Sequence, residues 1–429
     1  MTTTKPPSCG TPRTRRLEHS ERTELPSARK QWVSWQTNFA MHCVRSEHNC
    51  LTSVSSPLAL SAVLAMLFLA GDEKTRMEIA KVMKSPQGLA KEVMRCFQKV
   101  FAEFRNHSKI RFAADIFVSG CLEVPDEFIM LTAELFGSVV KDTTTIDSVL
   151  RNADVYSPQT RVALVASTVV TAPWIVDEAK ESRYYPFMSS YATRNGCQPY
   201  IVLSGRFRCL KARVYEAWML PLGSAEGSQA KLALIIIRPV CVGLLSDMIE
   251  RIHGYSFRGL IKRIVKQQEQ RSRVLIPKFH IPFKSKRDSP TDLLSKSPNP
   301  YQNCEFPGIS AEHTKLDHFF YNAAVSFSRS GVGFFDDEDP SSAIVSSPSQ
   351  RSEFNHPTGV SKLAPEVFSV RFDSPFVFAI VDCVTEAVLT IGSYSGPQGV
   401  PAEVLSRTYK KPRFCERRNA NERKKCSVM

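Results

Sequence analysis

Residues 58–70 (LALSAVLAMLFLA) carry no charge and only one polar side chain, Ser61. A stretch this short does not cross a bilayer, which takes about 20 apolar residues. It also lacks the polar face of a surface helix. What remains is a helix buried on all sides, and such a helix requires a large core around it. The chain can supply that core: 43% of its 429 residues are hydrophobic, enough for one large domain or two or three small ones. Ser56-Pro57 opens the helix, with proline early in the first turn where its missing N–H costs nothing, and the pattern runs through Leu67.

The neighbouring segments are also helical in pattern. Residues 38–43 read as the end of a preceding helix and 73–83 as an amphipathic one. Residues 90–105 follow, with Val93, Phe97, Val100, Phe101 and Phe104 at helical spacing. After Lys109 the pattern changes to β-rich runs at 110–118, 162–170, 214–220, 232–237, 273–279, 322–327, 367–372, 376–381 and 388–394. Helices are expected between them at 244–253 and 257–268. Helices grouped at the start, followed by many strands, indicate an α+β fold with large, mainly antiparallel sheets. There is no internal repeat.

The formal charge of +14 is concentrated at the ends. Residues 407–425 carry nine Lys/Arg against Glu416 and Glu422, and residues 1–30 carry seven against three Glu, which leaves the body near +3. Residues 1–30 and 398–429 therefore read as solvated, disordered basic extensions, and no nucleic acid partner is expected. Twelve cysteines, from Cys9 to Cys426, show no metal-ligand spacing, so reduced thiols, no metal and no cofactor are expected. The first 30 residues lack the apolar stretch of a secretory signal. As written, this places the chain in the cytoplasm; a signal preceding Met1 would make it extracellular.

Cys426-Ser427-Val428-Met429 follows Arg423-Lys424-Lys425 and fits the C-a-a-X pattern of prenylation. The basic residues would supply the second signal for an anionic membrane surface. Lys262, Arg263, Lys266, Arg271 and Arg273 form another basic group, suited either to a glycosaminoglycan-like polyanion or simply to a solvated helix face. No nucleophile elbow, HExxH or Ser/His/Asp motif is found, so an enzyme is not expected.

From the buried helix onward, motifs resemble those of the serpins in chain order. Ser56-Pro57-Leu58-Ala59-Leu60-Ser61, continuing to Ala65-Met66-Leu67, is similar to the helix after the family's first strand. Leu164-Val165-Ala166 with Trp174 resembles the third strand of the large sheet and its breach tryptophan. Met219-Leu220-Pro221 with the apolar run ending at Pro239, Ile276-Pro277-Lys278-Phe279, Phe306-Pro307-Gly308-Ile309-Ser310, Phe372-Asp373-Ser374-Pro375-Phe376, and Ile391-Gly392 with Pro397 complete the series. The resemblance covers residues 31–397 as one domain. It implies a serpin fold: three β-sheets and about eight helices, with an exposed reactive loop at about 332–366. Serpins act as suicide inhibitors whose cut loop inserts into the large sheet.

The loop itself departs from that pattern. Gly331 stands at the hinge, where inhibitory members follow with small residues. Here Val332-Gly333-Phe334-Phe335-Asp336-Asp337-Glu338-Asp339-Pro340 follow. Strand side chains alternate, so either phase sends two carboxylates to one face, and proline cannot complete a central ladder. The family's Ser–Asn–His cluster, which gates the sheet, is matched by Ala59, Ala166 and Tyr321. Residues 141–161 are about half the family's length there, so the helix that crosses the sheet is expected to be truncated, with at most two turns at 146–152. Counting forward from Gly331 puts the scissile bond at Val345-Ser346; counting back from Phe372 puts it near Lys362-Leu363. The resemblance and the departures together lead to a monomeric, non-inhibitory or degenerate serpin that acts by binding protein. The alternative is a serine protease inhibitor with an atypical hinge.

Overall fold

The computed structural model describes residues 30, 32–45, 52–82, 98–104, 106–119, 122–137, 140–142, 161–188, 194–223, 232–241, 244–252, 254–287, 306–310, 318–333 and 368–396. Helix α1 spans residues 32–45. Strand β1 (Ser53–Ser55) leads into α2, Pro57–Ala70, and every residue of α2 except Leu69 is buried. The uncharged run is thus a helix enclosed on all sides. Ser56 caps it: its Oγ accepts from the Ala59 N–H at 3.1 Å and donates to the Leu389 carbonyl at 2.8 Å. At the other end the Gly308 N–H donates to the Ala70 carbonyl at 2.9 Å, and a Cβ on Gly308 would lie 2.8 Å from Ala70 Cα. Only glycine lets the 306–310 turn seat there.

Helices α3 (Glu73–Val82), α4 (residues 98–104) and α5 (Asp126–Phe136) complete the first helical group. One sheet has seven strands: β2 (Ile110–Val118), β3 (Val140–Asp142), β4 (Val162–Val170), β5 (Ala172–Pro173), β11 (Phe279–Arg287), β12 (His318–Phe327) and β13 (Gly331–Val332). Their order is β3-β2-β4-β12-β13-β5, with β11 on the edge of β12. Nine strands form the other network. These are β1, β6 (Glu178–Met188), β7 (Arg194–Lys211), β8 (Tyr215–Leu222), β9 (Leu232–Pro239), β10 (Glu269–Pro277), β14 (Phe368–Arg371), β15 (Phe376–Asp382) and β16 (Val388–Tyr394). Strand β7 pairs with β10 from Tyr200 to Arg208 and with β8 from Arg208 to Lys211. It therefore belongs to two blades that meet at Arg208, and three sheets result.

Helix α2 packs between the networks, against β4, β12 and β16. Helices α1, α6 (Leu245–Arg251) and α7 (Gly254–Val265) close a second core, in which Phe257, Leu260, Ile261 and Ile264 meet Ala233, Ile235 and Ile237.

Several elements differ from expectation. The helix expected at 257–268 runs from Gly254 to Val265, because Glu269 already begins β10. The strand expected at 273–279 is two strands, broken at Lys278. Helix α5 and strands β6 and β7 were not anticipated: the two strands carry charges and prolines that mask their alternation. Of the helix at 90–105, residues 98–104 are described. On the face of the seven-stranded sheet away from α2, the cross-strand partners Phe117 and Ala163 are fully buried. Lys141 Nζ lies 5.6 Å above the Phe117 ring and pairs with Asp115 at 2.6 Å. The expected short helix at 146–152 lies outside the described residues.

Candidate functional site

Strand β12 ends at Phe327, and a turn reverses the chain. The Ser328 N–H donates to the Gly331 carbonyl at 3.0 Å and the Ser330 N–H to Ser328 Oγ at 3.2 Å. Gly331 and Val332 then run back as β13 between two strands: Val332 pairs with Phe327 of β12 and with Ala172 of β5, and Gly331 pairs with Pro173. Trp174 holds this corner. Its indole N–H donates to the Ser328 carbonyl at 2.9 Å, and its ring meets Phe327 edge to face at 6.3 Å. The hinge has thus entered the sheet by two residues.

Gly333 ends that run. Its N–H still donates to the Ser326 carbonyl at 2.8 Å. Its φ of +109° is one that L side chains rarely adopt, and a Cβ there would collide with the Val170 carbonyl oxygen. Beyond it the slot is shut: β12 and β4 pair directly with each other, in parallel, from His318↔Ala163 to Ala323↔Thr168. Phe334 and Phe335 lie outside the described residues, as do Val345, Ser346, Lys362, Leu363 and Cys426.

The register decides what alternation alone left open. Extending the pairing of β13 residue by residue would set Phe334 opposite Val170 and Val325, Asp336 opposite Thr168 and Ala323, and Glu338 opposite Ala166 and Tyr321. Ala166 and Val170 belong to the core that contains α2. Asp336 and Glu338 are therefore the two acids that full insertion would bury. Thr168 Oγ1, on that face, is buried and has no hydrogen-bond partner among the described residues. Of the gate positions, Ala59 and Ala166 are fully buried, and the backbone of Tyr321 pairs with Ala166. Neither alanine offers a side-chain hydrogen bond.

At the other root of the loop, β14 runs parallel to β10, from Ser272↔Phe368 to Leu275↔Arg371. Arg238 clamps its end. The guanidinium donates to Glu216 Oε2 from Nη2 at 2.6 Å and from Nε at 2.9 Å, and from Nη1 to the Arg371 carbonyl at 2.9 Å. It also lies 5.5 Å above the Phe372 ring. The Met188 N–H donates to the Asp373 carbonyl at 2.7 Å. Sequence reasoning missed Arg238 and Glu216, since no motif surrounds either.

The five basic residues are divided. Lys262 and Arg263 lie on α7, where Lys262 is 3.8 Å from Glu386 and Arg263 donates to the Tyr215 hydroxyl at 2.8 Å. Lys266 is exposed just past the helix. Arg271, 3.9 Å from Asp177, and exposed Arg273 stand on β10, with Arg206 of β7 opposite Arg271. Burial pushes the thiols of Cys209 and Cys383 up to about 12, with the Glu216 and Asp382 carboxylates adding to it. Among the described residues no group of His, Cys, Asp or Glu could hold a metal ion.

The sequence profile of the family described as Serpin (serine protease inhibitor) matches residues 35–149 and 138–397. The chain belongs to the serpin family. The two matched stretches overlap at residues 138–149. Solved structures agree on the fold. Native protease nexin-1 with heparin is 19% identical with a TM-score of 0.64, covering 87% of this serpin and 100% of its own chain. Thyroxine-binding globulin in complex with thyroxine is 16% identical with a TM-score of 0.68, covering 86% and 99%. Mouse protein-Z dependent protease inhibitor is 13% identical with a TM-score of 0.66, covering 88% and 100%. No curated protein sequence matches this serpin significantly.

Proposed function

We propose that this serpin acts by binding protein partners through its exposed loop and does not trap a protease. The register at β13 carries this reading: insertion beyond Gly333 would drive Asp336 and Glu338 into the core beside Thr168 and Ala166. An unpaired carboxylate costs several kcal/mol on burial. Pro340, two residues on, would remove a ladder hydrogen bond. The total is comparable to the entire stability of a typical domain, about 5–15 kcal/mol. In this reading the chain is a monomeric binding protein, needs no cofactor and is not an enzyme. Its partner is a protease that meets the loop as substrate, or another protein. The Arg206, Arg271 and Arg273 face of the sheet suits a glycosaminoglycan, and the basic C-terminal segment suits an anionic membrane surface.

The second reading is a working inhibitor of serine proteases. One observation favours it: Val332 is already paired on both sides, with Phe327 and with Ala172. The two readings separate on incubating the full chain with trypsin-like and elastase-like proteases. A binding protein is nicked, forms no SDS-stable complex and unfolds at the same temperature afterwards. A covalent complex, or a rise in melting temperature on cutting, overturns the proposal.

A further inference from the structure

Strands β7 and β8 are joined by a turn in which the Ala212 N–H donates to the Tyr215 carbonyl at 2.9 Å. Tyr215 pairs with Pro239, so the exit of β9 lies at the same end of the blade, and the Val240 N–H donates to the Val214 carbonyl at 3.2 Å. The chain then turns into α6, with the Leu244 N–H on the Cys241 carbonyl at 3.3 Å. Val240 is 59% exposed and Leu244 45%. A single exposed apolar side chain is ordinary. Here two stand on adjoining turns, with half-buried Val214 beside Val240.

Cations border them. Lys211 and Arg213 are exposed on the β7–β8 turn. Arg263 reaches the same turn from α7, donating to the Tyr215 hydroxyl at 2.8 Å. Lys266 is exposed just beyond the Val265 carbonyl, which accepts from Arg208 of β7 at 2.7 Å. Of the carboxylates on the surrounding elements, Glu216 is held by Arg238, Glu250 by Arg45 and Glu269 by Arg208. Asp247, in the first turn of α6, is exposed.

Val240 and Leu244 sit at chain reversals, so they present tips and not the continuous face that a partner helix or strand needs. Apolar tips beside lysine and arginine suit the surface of an anionic bilayer, where the tips reach the boundary of headgroups and acyl chains and the cations meet phosphates. We propose that this end of the blade docks on a bilayer bearing anionic lipid, with Val240 and Leu244 inserted and Lys211, Arg213 and Arg263 at the headgroups. The docking belongs to the folded body and is independent of whether the C-terminal segment reaches a membrane.

Cosedimentation of the full-length protein with vesicles tests this, using Cys426→Ser so that no lipid is attached to the chain. Vesicles of phosphatidylcholine with about 30% phosphatidylserine should bind it, and phosphatidylcholine alone should not. Val240→Glu combined with Leu244→Glu should weaken binding about tenfold, and Arg213→Glu about fivefold. All three positions are exposed, and an unchanged melting temperature would verify folding. The basic C-terminal segment could hold the chain to such vesicles by charge alone, so a second readout reports insertion. The emission added by Leu244→Trp should shift to the blue on the vesicles and be quenched by lipids brominated in their acyl chains. No binding, unchanged affinity in the double variant, or Leu244→Trp emission that stays unquenched on bound protein would overturn the proposal. So would self-association in sedimentation velocity that the double variant abolishes, since the surface would then belong to a second copy of the chain.

Discussion

The loop leaves the body through a two-residue strand, Gly331–Val332, that has backbone neighbours on both sides. It returns through a four-residue strand, Phe368–Arg371, that has one strand neighbour among the described residues and is fixed at its end by Arg238. Backbone ladders accept almost any sequence, so the depth of the first root is decided by the side chains that follow it. The second root adds to its ladder one guanidinium, which joins a largely buried carboxylate, a carbonyl and a ring. Insertion is a question about residues 334–340 and the direct β4–β12 pairing, not about the hinge glycine.

The largest change should follow from replacing the residues that would face the core. With Phe334, Asp336, Glu338 and Pro340 all changed to alanine, the cut loop should enter the sheet and the nicked protein should gain more than about 5 kcal/mol over nicked wild type in chemical unfolding. No gain would place the obstacle elsewhere, in the β4–β12 ladder itself. Arg238→Met addresses the other root. It strands Glu216 and the Arg371 carbonyl and should cost about 2–3 kcal/mol. Amide exchange should quicken in Phe368–Arg371 and stay unchanged in Gly331–Val332; faster exchange at both roots would show that they are coupled. Gly333→Ala should cost about 1–3 kcal/mol, since it forces a Cβ against the Val170 carbonyl at a positive φ. Trp174 fluorescence should shift with it as the Ser328 turn moves. Thr168→Val should change stability least, by about 1 kcal/mol or less and in the stabilising direction, because it removes a buried hydroxyl that has no partner among the described residues.

The buried helix was legible from its composition alone, because an all-round apolar run of that length has one soluble solution. Strands with clean apolar runs, such as Leu232–Pro239 and Phe376–Asp382, were equally plain. Strand β7 was not: Ile201, Leu203 and Phe207 alternate inward, but Gly205 breaks the inward series, Val202 puts an apolar residue on the other phase, and the long strand serves two blades. At the hinge, the bulky acidic run could be read from the sequence, but not which acids would face the core. That depends on the pairing of Val332 with Phe327 and Ala172, residues far apart in the chain. The Arg238 clamp was beyond reach for the same reason, since it joins positions 216, 238 and 371 through strand pairing and not through spacing. The five basic residues near 262–273 looked like one group in sequence, yet a helix and a strand hold them apart.

Hydrogen exchange on the nicked protein distinguishes a cut loop that stays out of the sheet from one that enters it. With the loop excluded, amides across the Ala323↔Thr168 pairing are expected to keep the protection they have in the intact chain, and residues 334–340 to exchange freely. Strong new protection over 334–340 after cutting would mean that a strand had formed between β4 and β12, and would contradict the exclusion.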